Sequence, residues 1–305
     1  MLYRLRRRFQ TRRFDNAIRE VLATPPMPVV EAPLTIVSMV SPSDVPMYVL
    51  SMKAFYRRVG RGRIVAIIAR TMPEASRTLL RRHFPGIEFQ PIEEIDTGPC
   101  QRGGTWERLL YILDRAATEY VIQIDCDTLP VAPDLQEVTD CIAANVSFAS
   151  ADNNNRIRTF RETAEATKKM QSDYIGVVSE RTFDQFPNCD ELLYVRGSSG
   201  FAGFAPGAFP RQRLEEFHGI MEGLVGRERW REWGTEQCAS NFAVANSPGA
   251  VVLPFPAYTS FFPGGPRQGV KFFHFIGSFR FDEGFFAARG REEIASLLAL
   301  ARQPS

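Results

Sequence analysis

The first half of the chain alternates short apolar runs with amphipathic stretches. Leu34 to Val40 (LTIVSMV) is rich in β-branched residues, and Ser41-Pro42-Ser43-Asp44 follows it as a strand end turning into a helix cap. Met47 to Val59 has helical spacing, Ile64 to Ala69 (IVAIIA) repeats the strand pattern, and Pro73 to Phe84 predicts a second helix that Pro85-Gly86 stops. A third strand is expected at Ile87 to Ile92. A helix from about Thr105 to Thr118 then leads into a fourth strand, Tyr120-Val-Ile-Gln-Ile124. Strands alternating with helices predict an α/β fold with a parallel-cored sheet.

Beyond Ser150 the pattern loosens. Asn153-Asn154-Asn155 and the charged segment up to Lys169 are polar, and the stretch after them mixes short strands, glycines and aromatics. Helices are predicted at Pro210 to Leu224 and Thr235 to Ala245, strands near Val251 and at Val270 to Phe275, and a closing helix around Glu292 to Ala301. The N-terminus has its own pattern. Arg4, Arg6, Arg7, Arg8, Arg12, Arg13 and Arg19 are interleaved with Leu2, Leu5, Phe9, Phe14 and Ile18, which predicts a basic amphipathic helix, and a Pro-rich segment from Thr24 to Pro33 follows. Such a helix either packs its apolar side on the body or rests through residues 1–20 on an anionic membrane surface; charge runs are usually solvated faces, which favours packing.

Composition narrows the function classes. With 37 Lys plus Arg against 35 Asp plus Glu, the net charge of +2 gives no global field for nucleic acid, and the one strong basic run lies outside the body, so no nucleic-acid partner is expected. The five cysteines are an odd number without a closely spaced pair, which points to a reducing compartment. No apolar run approaches the roughly 20 residues that span a bilayer, and the N-terminus lacks the apolar core of a signal peptide. The expected location is cytoplasmic, membrane-peripheral if the basic helix binds lipid.

The candidate chemistry lies after the fourth strand. Asp125-Cys126-Asp127 places two carboxylates at the carboxyl end of a strand, where open α/β sheets bind ligands. Hard oxygen ligands there suit Mg²⁺ or Mn²⁺, which keep coordination positions open for diphosphate oxygens. A strand-to-loop turn, with Asp127 as a cap and Asp125 paired to an arginine, would use the same residues without any substrate.

In its setting, Val-Ile-Gln-Ile-Asp125-Cys126-Asp127-Thr-Leu-Pro resembles the DxD signature of the GT-A glycosyltransferases, whose donors are nucleotide sugars. Further segments fit the family-eight, glycogenin-like group in the right order. Arg108-Leu109 stands where that group carries a donor-binding arginine, with Arg102 as a companion. Gly197-Ser198-Ser199-Gly200 resembles the small-residue loop on which the transferred sugar lies, although an ordinary turn has the same composition. Trp233-Gly-Thr-Glu236-Gln237, continuing to Asn241, resembles the helix start that lines the sugar pocket; Thr235 as N-cap and Glu236 at the positive end of the helix would explain the same residues. His274, in His-Phe-Ile-Gly277-Ser-Phe-Arg280, matches a C-terminal His-x-x-Gly-x-x-Lys pattern in which histidine completes the metal site and the basic residue holds the diphosphate.

The resemblance runs from about Leu34 to Arg280 and implies a GT-A fold: a mixed central sheet flanked by helices, with residues 1–30 as an N-terminal segment and 31–305 as one catalytic domain. Within that domain, 31–150 would be the nucleotide-binding half and 151–305 the acceptor half. It implies a metal site of Asp125, Asp127 and His274 holding Mn²⁺ or Mg²⁺, the imidazole favouring Mn²⁺. Ser38, Val40, Arg102, Arg108, Asp125, Cys126, Ser199, Gly200 and Arg280 would contact the donor, and Glu236 and Gln237 would be catalytic. The expected donor is a UDP-sugar and the acceptor a saccharide, lipid-linked or otherwise. The chain departs from the pattern in three places: Arg280 replaces lysine, no Trp follows it, and no second acid follows Gln237. In an inverting enzyme Glu236 would be the general base; in a retaining one, to which the His274 pattern points, the departing phosphate would take the proton and Glu236 or Gln237 would steady positive charge on the sugar.

Other readings compete. Asp125-Cys126-Asp127-Thr128 after an apolar strand also has the form of a haloacid-dehalogenase phosphatase motif, with Asp125 as nucleophile, but no later acidic pair completes it. A nucleotidyltransferase would need a Gly-rich phosphate loop where this chain has Met39-Val-Ser-Pro-Ser. A non-catalytic nucleotide-sugar-binding module would keep the fold without turnover.

Overall fold

The computed structural model describes residues 2–153 and 156–300, without the side chains of residues 2–6 and of Ser278. Met1, Asn154 and Asn155 of the asparagine run, and Ala301 at the expected end of the closing helix lie outside the described residues, as do the side chains of Leu2, Arg4, Leu5 and Arg6 in the basic helix. The strands are β1 (Leu34–Met39), β2 (Arg63–Ile68), β3 (Glu88–Pro91), β4 (Tyr120–Ile124), β5 (Thr128–Pro130) and β6 (Phe148–Ser150). They continue with β7 (Arg158–Thr159), β8 (Leu193–Tyr194), β9 (Ser198–Phe204), β10 (Val251–Val252), β11 (Tyr258–Ser260) and β12 (Phe272–His274). The chain divides into two compact units. The first comprises the segment up to Pro91, Ile124–Gln136 and the segment from Pro256 onward; the second comprises Ile92–Gln123 and Glu137–Phe255.

In the first unit β1, β2 and β3 lie side by side and parallel. The apolar runs of β1 and β2 are buried along almost their whole length, as strands covered on both faces must be, while β3 is partly exposed. The helix Val45–Val59 covers them and ends on Gly60 in the left-handed conformation (φ 76°), a conformation that glycine alone adopts without strain. A smaller sheet in the order β11-β12-β5 carries His274 opposite Thr128 in an antiparallel pair. Aromatic rings fill the space around it: Phe275 stacks on Phe286 at 4.0 Å, and Phe261 on Phe285 at 5.4 Å.

The N-terminal helix Leu2–Ile18 packs on the body. Phe14, Ile18 and Val21 are buried, with Phe14 4.5 Å from Phe286, while Arg7, Arg8, Arg12, Arg13 and Arg19 face outward. Lys53, fully buried in the helix Val45–Val59, anchors the following segment by donating to Thr24 Oγ1 at 2.7 Å and to the Pro25 carbonyl; burial pushes its ammonium down to about 8. No helix among the described residues is long and apolar enough to cross a membrane.

In the second unit the order is β10-β6-β9-β4, with β10 parallel and β9 antiparallel to β6, so this sheet is mixed. The polar stretch after Asn155 is more ordered than its composition suggests. It forms the helix Phe160–Thr167, closed at its start by a capping box in which the Thr159 hydroxyl accepts from the Glu162 amide and the Glu162 carboxylate accepts from the Thr159 amide. Phe160, Phe183, Phe217 and Phe242 form the core beneath it, Phe160 stacking on Phe183 at 4.2 Å and Phe217 on Phe242 at 4.3 Å.

The Gly197–Gly200 stretch, expected as a loop, enters strand β9 from Ser198 onward. The reason is steric: a Cβ at Gly197 would lie 2.9 Å from the Ser150 carbonyl oxygen, and one at Gly203 would run into the Phe148 ring and come 2.7 Å from the Tyr120 hydroxyl. The glycines let neighbouring strands and rings close on β9. Gly203→Ala is therefore expected to destabilise by about 1–3 kcal/mol through overpacking, read as a lower denaturation midpoint in urea with an unchanged slope.

Candidate functional site

Three chemical groups converge in the first unit. Strand β4 ends at Ile124, whose carbonyl accepts a 2.7 Å hydrogen bond from the buried Ser38 hydroxyl on β1. The chain then turns through Asp125-Cys126-Asp127. The Asp125 carbonyl accepts from Thr128 Oγ1 at 2.9 Å, and Ser51 Oγ sits 2.8 Å from the same threonine hydroxyl. Asp127 is fixed from the other side, its carbonyl accepting from the Phe275 amide at 2.8 Å. Because β12 pairs with β5 in the register that sets His274 against Thr128, the imidazole falls beside both aspartates.

His274 Nε2 lies 3.3 Å from Asp127 Oδ1 and 3.7 Å from Asp125 Oδ2. Arg280, held by its Nε–H to the Phe275 carbonyl at 3.1 Å, pairs with the second oxygen of Asp127. Burial alone would push the Asp127 carboxyl up, but His274 and then Arg280 outweigh it and hold it below the usual carboxylate range. Burial would likewise push the His274 imidazole down; Asp127 and then Asp125 reverse this and hold it above its ordinary value. Cys126 behaves differently. Burial, reinforced by Asp44, Asp125 and Asp127, drives its thiol well up, so it stays neutral and points its sulfur at the Met39 carbonyl, 3.2 Å away.

Asp125, Asp127 and His274 can each offer one ligand atom within 4.8 Å of the others. Two carboxylate oxygens and an imidazole nitrogen, two of the three side chains buried, form a donor set that suits a divalent ion and Mn²⁺ in particular. Val40, buried just past β1, is tied to β2 by a bond from its amide to the Ile67 carbonyl.

A second group lies within the second unit. Glu236, on the helix Thr235–Ala245, is 2% exposed; its Oε2 lies 3.0 Å from both Ser199 Oγ and Thr105 Oγ1, and its Oε1 lies 3.5 Å from Arg108 Nη2. The cap of this helix is Gly234 rather than Thr235: the Thr235 hydroxyl instead accepts from the Trp106 indole and the Gln101 amide, each at 3.0 Å. Gln237 is half-buried on the same helix. Asn241 donates to the Gly197 carbonyl at 3.0 Å and fixes the entry to β9, where Gly200 is buried. Arg102 is not drawn into this group; it is exposed and donates to the Ile95 carbonyl at 2.8 Å.

Thr105 is the participant that the sequence pattern did not single out. It sits at φ 73°, an uncommon conformation for a β-branched residue, directly before the helix Trp106–Ala116. The Gly103-Gly104 pair before it, also at positive φ, is the signal that the backbone takes an unusual path there.

No protein-family model matches the sequence, and no curated protein matches it significantly. Solved structures do. The bifunctional glycosyltransferase WbbM aligns over 86% of this chain with a TM-score of 0.53 and 16% identity, and the chain spans about half of it (49%). The galactosyltransferase LgtC, in complex with donor and acceptor sugar analogues, aligns over 89% of this chain and 97% of its own with a TM-score of 0.50 and 12% identity. A glutamine-to-glutamate active-site variant of LgtC gives 0.52 at 13% identity, over 86% and 95% of the two chains. The chain has the GT-A fold. At these identities the likeness establishes the GT-A architecture, α/β with a mixed sheet and flanking helices, and the chemistry must be argued from the residues above.

Because His274 must lose its proton to bind a metal, and its neighbours raise its affinity for that proton, metal and proton compete. Mn²⁺ affinity measured by calorimetry should fall by about tenfold per pH unit once the pH drops below the raised His274 pKa, with the fall already under way above pH of about 6.5. His274→Ala should bind Mn²⁺ more weakly at neutral pH and lose most of this slope.

Proposed function

We propose that the chain is a metal-dependent glycosyltransferase that moves a sugar from a nucleotide-diphosphate donor, a UDP-sugar, to a hydroxyl of a saccharide or lipid-linked acceptor, with retention at the anomeric carbon. The observation that carries this reading is the Asp125–Asp127–His274 cluster, with Arg280 paired to Asp127, at the end of β4 in a GT-A fold. The sugar analogues bound to LgtC support a nucleotide-sugar donor and a saccharide acceptor. We assign residues 31–150 to nucleotide binding and 151–305 to the acceptor, in the cytoplasm. The phosphatase reading has no counterpart here, since no further metal-binding cluster of acidic residues occurs among the described residues.

Asp125, Asp127 and His274 would hold the ion, which when bound supplies positive charge that stabilises a leaving diphosphate. Arg280 is the second cation: a guanidinium has donors to spare beyond its bond to Asp127 and can turn them to phosphate oxygens. Ser38 ties the end of β4 to β1 through its hydroxyl, Val40 is assigned to the donor just past β1, and Cys126, kept neutral, adds no charge to repel a diphosphate.

Glu236 favours retention. Its two oxygens already face Arg108, Ser199 and Thr105, which leaves them engaged rather than turned to an acceptor hydroxyl. It is better suited to steadying positive charge on the sugar, with Gln237 beside it presenting a neutral amide, consistent with an active-site glutamine in LgtC. Arg108 and Ser199 then act through Glu236, while Arg102, exposed, and Gly200, which leaves room for close approach, are assigned to the donor.

Thermal shift with UDP, GDP and ADP, with and without Mn²⁺, tests the reading. One nucleotide should stabilise the protein only with metal, by about 2.7 kcal/mol at a hundredfold excess over its dissociation constant. Asp127→Ala and His274→Ala should abolish the shift; if no nucleotide shifts the native chain, the glycosyltransferase reading fails. In transfer assays Glu236→Gln should cost less than the roughly 100-fold minimum typical of a lost general base, and NMR should show the donor's anomeric configuration kept in the product. An inverted product would overturn retention.

A further inference from the structure

The second unit holds a cavity of about 220 Å³ whose walls come from β7, β8 and the helices Phe160–Thr167 and Ile175–Arg181. Three arginines, Arg156, Arg158 and Arg196, line it, with Glu180 as its one carboxylate. Arg158 pairs across the β7–β8 ladder with Tyr194, and Arg156 and Arg196, each two residues further along its own strand path, reach the same cavity.

The carboxylate does not balance these charges. Glu180, 2% exposed, is engaged by Arg196 through two donors, Nε at 3.0 Å from Oε1 and Nη2 on Oε2, in the forked geometry that fixes a guanidinium in place. The side chains of Arg156 and Arg158 have no hydrogen-bond or ion-pair partner among the described residues. Arg156, exposed at the mouth, and Arg158, half-buried, thus line a concave site beside a third arginine that Glu180 holds in position. Arginines on an open surface disperse into water. Gathered in a cavity they repel one another, and an oxyanion that accepts from their planar donors relieves the repulsion and forms charge-assisted bonds.

We propose that this cavity is a binding site for an oxyanion, the phosphate or carboxylate of a small polar ligand such as an acidic saccharide. Its volume is below that of a site for a whole drug-sized molecule and fits one anionic group with its immediate attachment. Ala166 and Met170 supply a short apolar wall next to the arginines, so the ligand carries its charge on a less polar frame. Its charged residues, Arg156, Arg158, Arg196 and Glu180, are none of those named above for sugar transfer, and the site stands without that assignment.

Calorimetric titration of the full chain at low ionic strength with inorganic phosphate and, separately, with glucuronate tests the site. Arg156→Gln/Arg158→Gln is the informative variant, because both side chains lack a partner to orphan; Arg196→Gln would leave Glu180 buried without its cation and confuse binding with stability. One saturable site for at least one anion is expected, weakened about tenfold or more in the double variant and by added salt. The variant's melting temperature without ligand should match the native chain. Binding of phosphate alone would assign a phosphorylated ligand, and binding of glucuronate alone a uronic acid. If neither anion saturates, or if binding survives the double substitution, the proposal is wrong.

Discussion

The first unit has to hold two aspartates and a histidine with their ligand atoms within 4.8 Å in a largely buried turn. Two like charges about 4 Å apart repel by about 4 kcal/mol even at an effective dielectric of about 20, and burial adds a desolvation cost for each. Packing alone does not sustain such an arrangement. It persists because Arg280 and the His274 imidazole, whose hold on a proton Asp127 strengthens against burial, face the carboxylates, and because the backbone on either side is tied down independently of the side chains. The Asp125 carbonyl is fixed by Thr128, the Ile124 carbonyl by Ser38, and the Asp127 carbonyl by the Phe275 amide. A bound cation would take over the work of the proton and part of that of Arg280, which leaves the guanidinium able to serve a second anion.

That constraint also explains the Phe-rich segment around His274. An imidazole between phenylalanines is usually a core residue with its polar atoms satisfied by backbone. Here Phe272, Phe273 and Phe275 are buried against Tyr258, Phe285 and Phe286, and this rigid aromatic packing sets the register that aims the ring at the aspartates. The apolar context and the polar function are therefore one device: the phenylalanines determine where the imidazole goes, and the carboxylates determine its protonation.

Much of this was legible in the sequence, for identifiable reasons. Strands β1, β2 and β4 and the helices between them are long enough to show a period, and each lies within two residues of its expected bounds. Asp125, Asp127 and His274 could be grouped because motif order survives even when the intervening chain is unreadable. The second unit was harder. Strands β7, β8 and β10 have two residues each, too few for alternation to register. The helix Phe160–Thr167 buries threonines and an alanine beside a single phenylalanine, so its inward face looks polar in composition. Ser198-Ser199-Gly200 reads as a turn, yet it belongs to a strand whose flanking Gly197 and Gly203 are the positions where carbonyl and ring neighbours occupy the space of a side chain. The role of Thr105 depends on a backbone conformation that only the two preceding glycines hinted at.

The buried pair of Arg108 and Glu236 changes how charge in the second unit should be counted. From the sequence, Arg108 looked like a cation available to a diphosphate. In the structure it is 3% exposed and opposite a carboxylate that is 2% exposed, so the pair is close to neutral as seen from outside and neither member can be removed without leaving the other buried alone. Arg108 lies against one oxygen of Glu236, while Ser199 and Thr105 sit at the other. Charge directed at a diphosphate must come from groups whose own partners do not cancel them. Arg102 donates to the Ile95 carbonyl, a partner that carries no charge. Arg280 meets that condition only when something else neutralises Asp127, and the cation that His274 and the two aspartates are arranged to hold would do so. On this view, metal binding and the availability of Arg280 are linked, and the first unit can attract a diphosphate only after its own carboxylates have been satisfied.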